Sequence, residues 1–157
     1  MVAAAAILAG LGSLVAVPAV ASAGDRHGAA ASSTTPPVVT EKFGSPPLAC
    51  NQNTTVGLEG CGEHKVLADD KQLDADIRAI WAHLATKGRQ DFVIAQADWQ
   101  TYRNADCQSQ SDVYQGGTLA PVAYVNCLST DDVSRRQDLK GFFAALTQGM
   151  SPKPAFP

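Results

Sequence analysis

Val66, Leu73, Ile77, Ile80, Trp81 and Leu84 recur at three- and four-residue steps, with Asp69, Asp70, Lys71, Asp74, Asp76 and Arg78 largely between them. That period predicts an amphipathic helix from about Cys61 to Ala85, closed by Lys87-Gly88 as a basic last turn and a glycine stop. Phe92, Ala95, Trp99 and Tyr102 form a second stripe and predict a helix from about Gln90 to Cys107. The short connection folds the two helices into an antiparallel hairpin. Gln108 to Gly117 is polar, ends in two glycines and reads as a loop. Beyond it Val122, Tyr124, Val125 and Leu128 suggest a short helix or turn, and Val133, Leu139, Phe142, Phe143 and Leu146 mark a final helix. Ser129 and Thr130 supply its N-cap, and Asp131 and Asp132 its acidic first turn. No stretch alternates with period two for long enough to predict a strand. The expected fold is all-α, a small disulfide-linked helical bundle built on an antiparallel helical hairpin.

The two ends of the chain break this pattern. In residues 1–23 an apolar run from Val2 to Val17 leads through Pro18 to Ala21-Ser22-Ala23, the signature of a secretory signal peptide cleaved after Ala23. A retained membrane anchor is the alternative, since the run approaches the ~20 residues that cross a bilayer. Gly24, not cysteine, follows the cleavage site, so no lipid anchor is expected. Residues 24–47 are rich in Ala, Ser, Thr, Pro and Gly and read as a disordered tether with too little apolar surface to offset its ordering entropy. Residues 48–150 hold the helical domain, and the proline-rich residues 151–157 form an irregular tail. The expected destination is the secreted, periplasmic or cell-envelope compartment.

Composition narrows the function. A net charge of −3 with 17% charged residues lacks the electrostatic footprint of a nucleic-acid binder. Cys50, Cys61, Cys107 and Cys127 are an even set in a chain that reads as exported, which favours two disulfides. Four cysteines allow three connectivities; the sequential one, Cys50 with Cys61 and Cys107 with Cys127, is preferred, and a Cys61–Cys107 bridge across the hairpin is its main rival. Cys61 and His64 have the spacing of half a zinc site, but no second pair matches it, so neither a metal nor another cofactor is expected. No nucleophile elbow, phosphate-cradling glycine loop or metal-binding helix motif is present. Asp69, Asp70, Asp74 and Asp76 lie on one helix without the opposed geometry of a glycosidase pair, and read as a solvated face that could also steer a basic partner. The chain reads as a binding protein and not as an enzyme.

The segment Ala95-Gln96-Ala97-Asp98-Trp99-Gln100-Thr101-Tyr102-Arg103-Asn104-Ala105-Asp106-Cys107 resembles the pattern A-Q-x-x-W-x-x-[YF]-R-x-x-x-C of the lysozyme inhibitor LprI N-terminal family. Gly116-Gly117-Thr118, Cys127, and Arg135 with Leu139 fit the features that follow it, and Cys50 and Cys61 fit the paired amino-terminal cysteines. The segment from Asp70 is looser, with Asp74 in place of Asn and Ile77 in place of Tyr. The resemblance spans about residues 48–146. It implies an exported, disulfide-linked helical domain whose protein partner is lysozyme; the alternative is a cell-envelope interaction module with a different partner.

Within that resemblance Gln96, Trp99, Tyr102, Arg103 and Arg135 read as structural: buried aromatics with Arg103 packed nearby and paired to a carboxylate or to helix-end carbonyls. The partner-binding candidate is the loop of residues 108–126, whose ends a Cys107–Cys127 bridge would restrain. Ser109, Ser111, Tyr114, Gly116 and Gly117 would offer donors to the carboxylates of a lysozyme cleft.

Overall fold

A computed structural model describes residues 34–157, so the expected signal peptide and the first part of the tether lie outside the described residues. The described residues form three helices: α1 (Thr55–His83), α2 (Thr86–Asp112) and α3 (Ala120–Leu146). Among the described residues there is no strand.

Each helix is longer than its apolar stripe. α1 starts at Thr55 because the Thr54 side chain accepts the Gly57 N–H at 3.0 Å, a cap that the apolar period does not mark. It ends before Gly88: Leu84 takes an extended conformation, and Gly88 lies in the first turn of α2. α2 continues five residues past Cys107 to Asp112. The predicted short helix and final helix are one continuous α3, opened by Pro121 in its first turn. Ser129 and Thr130 are therefore interior residues; Thr130 bonds back to the Asn126 carbonyl at 2.9 Å and Ser129 reaches across to Asp69 at 2.7 Å.

α1 and α2 run antiparallel, joined through Leu84 and Ala85, and α3 turns back again, so that α1 and α3 are parallel and α3 packs against both other helices. Gly62 lets α1 and α3 close, since a Cβ at that position would lie 2.1 Å from Val125 Cγ2. Lower on the same seam Arg136 Nε donates to Asp76 at 2.7 Å, and His83 meets the edge of Phe143.

The groove between α1 and α2 is filled by residues 38–43, an extended strap. Val39 is fully buried, and its N–H donates to Asp74 at 2.7 Å; the Glu41 N–H donates to Asp70 at 2.7 Å. Gln100 of α2 holds the Val38 carbonyl at 3.3 Å, and Phe43 packs against the buried Val66 cluster. The expectation of a free tether up to Pro47 fails for this stretch, because Val39, Glu41 and Phe43 each find a partner in the groove. The tail carries no helix, yet Phe156 returns to lie 5.0 Å from the Phe143 ring.

Two apolar clusters divide the bundle lengthwise. Val39, Leu73, Ile77, Ile80, Trp81, Phe92, Leu139 and Phe143 fill one end; Val66, Cys107, Val125, Cys127 and Leu128 fill the other. Both disulfides, Cys50–Cys61 and Cys107–Cys127, lie toward the second end, which also holds the α2–α3 turn.

Candidate functional site

Between the two clusters α2 carries Arg103, 1% exposed. Its Nη1 meets Asp132 at 2.5 Å and Asp70 at 3.4 Å, its Nη2 meets Glu41 at 2.6 Å, and its Nε reaches Asn104 at 3.3 Å. One guanidinium thus faces three carboxylates, brought in by α3, α1 and the strap. Burial pushes the Asp132 carboxyl up to about 7 despite the opposing pull of Arg103. Burial also raises Asp70, opposed by the Glu41 N–H and by Arg103. For Arg103 burial acts downward, but the carboxylates, Asp132 first, outweigh it and hold the guanidinium protonated. Asp132 and Asp70 are buried while Glu41 keeps a partly exposed side chain, and the centre ties three elements to α2. Trp99, half-buried, has the Arg103 and Arg135 guanidiniums over its ring at 5.2 and 5.5 Å.

The acidic run on α1 is not the solvated face expected. Asp70 and Asp76 are buried on Arg103 and Arg136, and Asp74 holds the strap. Polar residues at buried positions carry no hydrophobic signal, and this is why the period reads them as surface. Glu41 and Asp132 were likewise not among the sequence candidates; the available hint was that a motif arginine inside an apolar stripe requires carboxylates nearby.

The other candidate region is smaller than the sequence suggested. Residues 108–112 belong to α2 and residues 120–126 to α3, so the loop shrinks to residues 113–119. Ser111 is buried and donates to the Ala120 carbonyl at 2.9 Å, closing the turn and presenting nothing to solvent. Ser109 is bonded to the Asp106 carbonyl at 2.7 Å on the flank of α2. Tyr114 stays half-exposed at the tip, with Gly116 at φ 74° and the Gly117 N–H bonded to the Tyr114 carbonyl at 2.8 Å. Val113 and Leu119 are exposed beside it, at 75% and 45%. The adjoining hollow, about 520 Å³, is lined by Gln110, Tyr114, Asn126, Thr130 and Asp131.

Of the motif residues, Gln96 is fully buried with neither amide atom bonded, and Arg135 is partly buried. Tyr102 is 62% exposed and belongs to the surface, not to the core where its stripe placed it, because Trp99 and Arg103 already take the inward side of that turn. Asp106 and Asp131 flank the Cys107–Cys127 bridge within 4.8 Å of its sulfurs, but those sulfurs are bonded to each other and are not thiolate ligands. Cys61, the sulfur of the zinc half-site weighed beside His64, is likewise in a disulfide.

The family model of lysozyme inhibitor LprI matches residues 49–139, more than half of the chain and all but the strap and the last turns of the fold. The chain belongs to the LprI family. No curated protein and no solved structure matches it. The LprI match includes both disulfides, Arg103, Asp132 and the α2–α3 turn, whereas Glu41 precedes it. No described helix is long and apolar enough to cross a membrane.

Proposed function

We propose that this protein inhibits lysozyme by placing the tip of its α2–α3 hairpin in the enzyme's cleft, without catalysis of its own. The observation that carries the reading is the tip itself: Val113, Tyr114 and Leu119 stay exposed on a seven-residue turn whose flanking helices are cross-linked by Cys107–Cys127. A tip held in one shape loses less entropy on entering a cleft than a free loop does. Tyrosine offers a large contact area with a polar end, and the backbone amides of the turn can donate to the cleft's paired carboxylates. The exposed Val56 and Leu58 near the start of α1 lie toward the same end and would widen the contact. Ser109, Ser111 and the Gly117 N–H, occupied within the hairpin, drop out of the contact set; Tyr114 and Gly116 remain. Export, with cleavage after Ala23 and oxidation of both cysteine pairs, is part of this reading.

The test is a lysozyme turbidity assay with the purified, fully oxidised chain. Slowed lysis at micromolar excess is expected. Tyr114→Ala and Gly116→Val, the latter forcing a β-branched residue into positive φ, should weaken inhibition while the helical circular dichroism stays unchanged. Undiminished inhibition by both variants would remove the tip from the mechanism, and no inhibition by the native chain would remove lysozyme as the partner.

A further inference from the structure

A groove between the first half of α2 and the last half of α3, at the end of the bundle away from the tip, has no part in this reading. It encloses about 560 Å³, within the range of small-molecule sites. Leu84, Phe92, Ala95, Leu139 and Phe142 make its walls predominantly apolar, and Arg135 supplies a cation. That cation is poorly neutralised. Its Nε is buried without an acceptor, and the facing Asp138 is 4.0 Å from Nη1 with a side chain 73% exposed. On its other side lies the face of Trp99. Burial lowers the Arg135 pKa, only partly countered by Asp138. Asp91, the second carboxylate on the rim, is held by Lys87 at 2.9 Å.

We propose that this groove binds a free fatty acid, with the carboxylate on Arg135 and the hydrocarbon chain along Phe92, Leu139 and Phe142. A carboxylate can accept from the two Nη groups together, a paired geometry a guanidinium favours, and would displace only the loosely held Asp138. The chain would cover Phe142, which is 40% exposed. One anionic head and one apolar tail match one half-shielded cation and one apolar trough; a neutral ligand would leave the guanidinium poorly neutralised, and a short anion would leave the walls uncovered.

Laurate and its methyl ester, titrated into the oxidised chain by calorimetry, test this. Saturable one-to-one binding of laurate in the micromolar range is expected, with the ester weaker by about tenfold or more. Arg135→Gln should weaken laurate binding by a similar factor, and Arg135→Lys, which keeps the charge but loses the fork, should fall between. Ala95→Phe, which fills the groove from an exposed helix face, should abolish binding while leaving helicity and lysozyme inhibition unchanged. Equal affinity for acid and ester, binding that survives Ala95→Phe, or no saturable binding overturns the proposal. Should Arg135→Gln fail to fold, the ester and Ala95→Phe decide it.

Discussion

At one end of the bundle eight buried side chains, among them Leu73, Ile77, Ile80, Phe92 and Phe143, close around one another; at the other end five do, and two of those five are the cysteines of one bridge. The first end is held by apolar burial and recruits the tail through Phe156. The second has a thinner core, and two covalent links take the place of the missing packing. The difference bears on function. An end that depends on burial must draw its apolar side chains inward, whereas a cross-linked end can hold its shape with Val113, Tyr114 and Leu119 turned to solvent. Arg103 stands at the seam, with carboxylates from three elements around it.

The largest effect is expected at that seam. Arg103→Met leaves buried Asp70 and Asp132 without their cation and should cost about 3–5 kcal/mol in urea unfolding at mildly alkaline pH. Both clusters should melt together; a transition in which one end survives would mean that the seam does not join them. Next, Cys107→Ser with Cys127→Ser opens a bridge spanning 20 residues and should cost about 3 kcal/mol. Amide exchange should accelerate around the α2–α3 turn more than around Ile80. Equal acceleration at both sites would erase the distinction between the ends.

Acidity should act on the seam in a defined direction. Asp132 titrates at about 7 in the folded chain, and an aspartate of the unfolded chain near 3.9, so the folded state holds its proton more tightly between these values. Its stabilising contribution is therefore full below about pH 4 and is lost as pH rises through about 7; the raised Asp70 and Asp76 act in the same sense. The melting temperature should be higher near pH 5 than near pH 8, and Asp132→Asn should flatten that slope. A slope of opposite sign would mean that the carboxylates, not their protonated forms, are preferred in the fold. The smallest effect lies among the apolar side chains of α2: Gln96→Leu replaces an unbonded buried amide and should gain about 1 kcal/mol. A loss of stability would show that the Gln96 amide is satisfied in solution.

The helical class, the apolar stripes and the oxidation of all four cysteines were readable because period and redox context report on apolar burial and on compartment; which cysteines pair was a preference among three connectivities that spacing alone does not decide. The charged seam was not. Asp70, Asp76 and Asp132 are buried by virtue of guanidiniums 29 to 60 residues away, and a local window shows only polarity. The loop is shorter than its polar sequence suggests for a related reason: polar Gln108, Gln110 and Asp112 sit on a helix that needs no apolar stripe there, since a disulfide and the Ser111 bond close the hairpin. The strap had a faint signal in Val39, Glu41 and Phe43, which alternate over only five residues within a proline- and threonine-rich stretch.

That strap also bears on the order of assembly. Its amides bond to Asp74 and Asp70, 35 and 29 residues downstream, and Glu41 bonds to a guanidinium 62 residues downstream. Its seat exists only once α1 and α2 have formed and turned against each other. A chain emerging amino-terminus first would present the strap long before that seat, and docking it closes loops as wide as those α3 closes on α1, where Arg136 meets Asp76 60 residues away. Residues 38–43 thus precede every described helix yet need α1 and α2 in place before they can dock, and the buried arginine receives its third carboxylate only when they arrive.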